Sequence, residues 1–91
     1  MKEIVNFEKI NEIIAKVREM YKYDNRVNKL VLKKAKVELL EDINGNLDLM
    51  SIDFSDFDIL SIYNNRIVFF PDSGGSETLL KYKNWDELLS L

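Results

Sequence analysis

The chain has no cysteine and no histidine, and only one proline and three glycines among 91 residues. Without cysteine there is no disulfide framework, no thiolate nucleophile and no cysteine-ligated zinc. Without histidine the commonest general acid–base pairing is missing as well. Long apolar runs are also lacking. The longest, Ile67–Phe70, is far short of the roughly 20 residues a membrane span needs. An excess of positive charge is absent too: 13 Lys and Arg stand against 16 Asp and Glu, a net charge of −3. A surface that binds nucleic acid all over normally carries the opposite balance, so direct nucleic-acid binding is not expected.

What is present is an ordinary globular composition, 46% hydrophobic and 11% aromatic, at a length suited to one domain spanning 1–91. The first twenty residues hold Lys2, Glu3, Glu8, Lys9, Glu12, Lys16, Arg18 and Glu19. A secretory signal would have an uncharged apolar centre there, so a cytoplasmic protein is expected. Nine Ile, nine Asn and ten Lys against three Arg and one Pro suit AT-rich coding sequence, such as a low-GC bacterium or its phage.

Phe7, Ile10, Ile13, Ile14, Val17, Met20 and Tyr21 recur at three and four residues, the period of one helical face. The spacing predicts a helix over 7–23, with Asn6 as N-cap, a staple from Val5 to Ile10 and a Glu12–Lys16 pair. Its apolar stripe is expected to face a sheet. Asn44-Gly45 signals a type I′ hairpin turn. Such a turn would pair Ile43 with Asn46, Leu39 with Met50, Val37 with Ile52 and Ala35 with Phe54 on the core face, and Lys36 with Asp53 on the wetter face. Asn64-Asn65 predicts a second hairpin, 57–63 with 66–70, opposing Ile59 to Phe70 and Leu60 to Phe69. Both faces of that hairpin are apolar. The long helix covers only one, which leaves the other for the C-terminal helix or for a second copy in a homodimer. A strand over 77–83 follows the Pro71–Ser76 loop. A short helix capped by Asn84 then presents Trp85, Leu88, Leu89 and Leu91. The expected fold is α+β: an N-terminal amphipathic helix on a four- to five-stranded antiparallel meander sheet, with a short C-terminal helix.

Charge is segregated along the chain. Residues 1–36 are net +5 and residues 37–91 net −8. One reading has the two halves neutralise each other in space. The other has an acidic edge meeting a basic partner. In Asp53–Asp58 the even-numbered core phase of Ile52 and Phe54 changes to the odd phase of Phe57 and Ile59. That change implies a bulge or tight connection and is expected to push Asp56 and Asp58 outward. Asp53, Asp56, Phe57 and Asp58 are therefore the candidate partner-binding residues. Arg26, Lys29, Lys33 and Lys34, near Tyr21 and Tyr23, are the alternative nucleic-acid-binding set.

No catalytic residues, metal site or cofactor are assigned. Asp48, Asp53, Asp56 and Asp58 match neither a Mg²⁺ nuclease motif nor an EF-hand, which needs a central Gly and a Glu at its twelfth position. Gly74-Gly75 resembles a phosphate-cradling loop but lacks the Lys-Ser/Thr that follows in one. In kind the chain resembles small phage-encoded inhibitors of bacterial defence, including anti-CRISPR proteins, and the immunity proteins and antitoxins that block a basic nuclease. The likeness is one of type: a short, acidic, cysteine-free, single-domain chain without catalytic residues. The resemblance implies a non-catalytic inhibitor that occupies a basic protein surface, such as that of a nuclease or a CRISPR effector. The alternative is a nucleic-acid-associated accessory domain using the segment Arg26–Lys36.

Overall fold

The computed structural model describes residues 6–54 and 57–91, without the side chain of Lys34. Helix α1 (Phe7–Met20) begins where Asn6 accepts a hydrogen bond from the Glu8 backbone N–H at 2.8 Å. It buries Ile10, Ile13, Ile14 and Val17, while Phe7 and Met20 at its two ends stay exposed. The helix stops three residues earlier than its periodicity predicts. Tyr21 leaves the helical conformation, and its hydroxyl donates to the Leu79 carbonyl at 2.5 Å. The expected Glu12–Lys16 pair is replaced by Lys9–Glu12 at 3.2 Å. The proposed Val5 staple lies outside the described residues.

Turns and a 3-10 helix (Leu32–Lys34) lead from α1 into the sheet. Val27, Leu30 and Leu32 from this connection are buried, and Arg18 donates to the Leu30 carbonyl at 2.7 Å. Five strands follow: β1 (Lys36–Glu41), β2 (Leu47–Asp53), β3 (Ile59–Tyr63), β4 (Arg66–Phe70) and β5 (Glu77–Lys81). Each pairs antiparallel with its sequence neighbour, in the order β1-β2-β3-β4-β5. Helix α2 (Trp85–Leu89) closes the chain, capped by Asn84, which accepts from the Glu87 N–H at 2.9 Å. This is the meander α+β fold the sequence pattern predicts.

Register follows the alternation of side chains. Val37↔Ile52, Leu39↔Met50 and Lys36↔Asp53 pair across the first hairpin, and Ile59↔Phe70 and Leu60↔Phe69 across the second. The tip of the first hairpin departs from expectation. Asp42 rather than Ile43 closes the loop, through Asp42 N–H to the Asn46 carbonyl at 2.8 Å and Gly45 N–H to the Asp42 carbonyl at 3.0 Å. The Asp42 carboxylate accepts from Asn44 N–H and Asn46 N–H. This Asx arrangement favours a three-residue loop over a type I′ turn. Only Gly45 adopts positive φ there, at 81°. Ile43 consequently pairs with nothing and is fully exposed. A register shift beside Glu41 sets that residue opposite Leu47 and absorbs the change in loop length.

One face of the sheet, the inner face, meets both helices. Met50, Ile52, Leu60, Ile62, Ile67 and Phe69 form a single buried cluster with the α1 residues and with Trp85 and Leu88 of α2. The indole N–H of Trp85 donates to the Leu47 carbonyl at 3.3 Å, which anchors α2 to β2. Of the two occupants expected for the second side of the β3–β4 hairpin, α2 is ruled out: it joins α1 on the inner side. On the outer side Leu49, Ile59 and Tyr63 are half-buried, Val68 is buried, and Leu40 and Phe70 are exposed. No described element belongs to a second buried cluster there.

Tyr82 pins the turn between β3 and β4. Its hydroxyl donates toward the Tyr63 carbonyl and lies 2.9 Å from the Arg66 carbonyl. Burial holds the phenol well above its ordinary pKa of 10.0. The unfolded chain therefore loses this proton at a lower pH than the folded one. The resulting contribution is fully present below pH 10 and is lost as pH rises through the folded value. Thermal midpoints are expected to fall more steeply above pH 10 in the wild type than in a Tyr82→Phe variant. Parallel curves would count against this role.

Candidate protein-binding surface

The segment expected to form an outward acidic patch divides. Asp53 is exposed on the outer face of β2, opposite Lys36 in register. Among the described residues no ion pair joins these two. Ser55 and Asp56 lie outside the described residues. Phe57 is 81% exposed and holds a left-handed backbone, φ 66°, a conformation that costs an ordinary residue about 1–2 kcal/mol. The tight connection inferred from the phase change is present, because Phe54 N–H donates to the Asp58 carbonyl at 2.8 Å.

Asp58 itself corrects the expectation. It is 4% exposed and faces into the protein. One carboxylate oxygen accepts from the Asp72 N–H at 2.9 Å, and the other lies 3.4 Å from the Lys29 ammonium. The side chain ties the β2–β3 connection to the loop after β4. It does not join an outward-facing patch.

The basic segment is partly consumed in the same way. The Arg26 side chain makes two contacts with Glu77, at 2.5 and 3.1 Å, and two with Asp24, to which its backbone N–H also donates. Hydrogen bonds from Arg26 hold the Asp24 carboxyl below its usual value. The Arg26 guanidinium also lies 5.9 Å from the centroid of the buried Phe69 ring, so it roofs the core beside β5. Lys29 is committed to Asp58. Lys33 is exposed, and the Lys34 side chain is outside the described set. Tyr23 projects into solvent with Lys22 beside its ring at 5.4 Å, whereas Tyr21 is turned inward to β5. Arg26–Glu77 and Lys29–Asp58 both join the basic first part of the chain to the acidic second part. Some of the segregated charge is thus neutralised within the fold.

The charge left over lies elsewhere. Between Lys36 and Asp53 the β1–β2 hairpin carries Glu38, Glu41, Asp42, Asp48 and Asp53, five carboxylates against the single Lys36. All six side chains are exposed. Among the described residues none of the five carboxylates enters an ion pair. Leu39 and Leu40, on opposite faces of β1, are 40% and 42% exposed, and Ile43 crowns the tip. An acidic arm with bare apolar side chains is a surface suited to a basic protein. Sequence reasoning missed it by placing Leu39 in the core and Ile43 in the ladder. The available signal was the ratio of acids to bases across one hairpin, readable only once β1 is known to be an edge. Among the described residues no three carboxylates gather closely enough to hold a metal ion. No helix there is long and apolar enough to cross a membrane.

No protein-family model, curated protein or solved structure matches the chain.

Proposed function

We propose that this chain is a non-catalytic, cytoplasmic protein-binding module that occupies a basic surface on a nucleic-acid-handling protein, as a small inhibitor of a nuclease or CRISPR effector would. The observation that supports this most is the contrast between the two charged regions. Arg26 and Lys29 are engaged within the fold, while the five carboxylates of the β1–β2 hairpin face solvent beside Leu39, Leu40 and Ile43. Exposed carboxylates of this kind steer encounter with a cationic partner, and the neighbouring apolar side chains slow its escape. Phe57, an exposed aromatic on a fixed turn, supplies a second anchor of the sort found at energetic centres of interfaces.

The test is binding to a panel of purified nucleases and CRISPR effectors, followed in real time at several ionic strengths. Association is expected to slow as salt rises. A Glu38→Lys, Glu41→Lys, Asp53→Lys variant should associate at least about tenfold more slowly with a smaller change in dissociation. Its thermal midpoint should shift little, because each site is exposed. A variant that melts like the wild type and binds the same partner at the same rate would defeat the proposal, as would a panel with no binder. Binding to DNA or RNA that disappears on Lys33→Glu would favour the accessory-domain reading.

A further inference from the structure

The two edges of the sheet are not equivalent. At β5 a register shift interrupts the ladder between Ile67 and Val68. The Leu79 carbonyl of that strand is taken by the Tyr21 hydroxyl, and Glu77 is held by Arg26. These are the devices by which native sheets close an edge. At β1 the ladder to β2 is regular from Lys36 to Leu40, and β1 has no second neighbour. Its side chains are exposed except for the half-buried Val37. Leu39, opposite Met50 and so on the inner face, is left bare at this edge.

We infer that β1 is a strand-addition site, and that its occupant is an extended basic segment of a partner protein. This rests on the reading of the chain as a module for basic proteins and specifies how contact is made. An added antiparallel strand would lie about 4.8 Å from β1 and form a backbone ladder along it. Residues directly opposite share a face, so apolar side chains of the incoming strand would sit beside Val37 and Leu39 on the inner side. Basic ones would lie along Glu38 on the outer side. A second copy of the chain fits poorly. Antiparallel self-pairing that keeps the faces matched and overlaps five of the six β1 residues either opposes Glu38 to Glu38, or sets Glu41 against Val37 and Glu38 against Leu40. Both arrangements also bring two acidic hairpins together. The charges on β1 thus discourage its own copy and accept an opposite one.

The probe is a short capped peptide alternating lysine and valine, added to the isotope-labelled full chain up to millimolar concentration. The expected result is slowed hydrogen exchange at alternate β1 amides, with chemical-shift changes centred on Lys36–Glu41. The same peptide methylated at alternate backbone nitrogens keeps its charge but cannot form a ladder, and should bind at least about tenfold more weakly. A glutamate–valine peptide should not bind. If the methylated peptide binds equally well, or the shifts centre on Phe57 and the outer face, strand addition is overturned while the acidic-surface reading stands. If no basic peptide binds at all, both fall. Concentration-dependent self-association through β1 without peptide would overturn the choice of occupant.

Discussion

Replacing Phe69 by alanine is expected to lower stability by about 3–5 kcal/mol, whereas replacing Phe57 by glycine should leave it unchanged or raise it by up to ~1 kcal/mol. The two aromatics lie on neighbouring parts of the chain and have opposite environments. Phe69 is fully buried on the inner face of β4, opposite Leu60 and beneath Arg26. Its truncation leaves a cavity that the surrounding strands, fixed by their ladders, close only in part. Phe57 projects into solvent from a left-handed backbone. Glycine relieves the clash of its Cβ and gives back part of that gain as unfolded-state entropy. Urea denaturation read by fluorescence measures both. For a domain of this size the Phe69 variant should melt more than roughly 10 °C below wild type. A Phe57→Gly variant that loses more than about 1 kcal/mol would mean the ring has a structural contact. Retained stability makes Phe57 a clean probe of binding.

Asp58→Ala is expected to cost about 1–3 kcal/mol, and Asp58→Asn distinctly less. Alanine removes the acceptor, on a residue only 4% exposed, from the part-buried hydrogen bond of the Asp72 N–H. Asparagine keeps an oxygen in that position and gives up only the charge facing Lys29. Because the Lys29 side chain is itself 56% exposed, water screens that pairing and its loss is worth a few tenths of a kcal/mol up to ~1. Equal losses for the two variants would show that the ion pair, rather than the hydrogen bond, dominates. Measured denaturation midpoints at constant slope decide between them.

Both hairpin registers were legible because a buried face imposes a strict two-residue period, and a slip by one residue would turn Ile52 and Leu60 into solvent. Asn6 and Asn84 were legible as caps because their role depends only on the next few residues. Arg26 reaching Glu77, 51 positions away, had no local signal. Nor did the inward turn of Asp58. The phase break before it located a bend without saying which side chains the bend would point inward. Leu39 was misplaced for a reason of size. One helix is about 10 Å wide and a five-stranded sheet nearly twice that, so an alternating residue on the outermost strand need not be covered. The candidate surface was illegible for the same reason, since edge status is a property of the assembled sheet.

The strand order has a kinetic consequence. Each strand finds its partner in the adjoining piece of chain, with five residues between strand ends at 42–46 and 54–58, two at 64–65 and six at 71–76. Closing loops of this length takes on the order of 10–100 ns, and the entropy surrendered per closure is small. Hairpins can form one after another without a distant strand having to be threaded between them. The longest sequence separations belong to the docking of α1 and α2 beneath the finished sheet. Refolding should therefore be fast for a sheet-containing domain, about milliseconds. The single buried Trp85, whose indole bonds to β2, should report the docking of the last element to join.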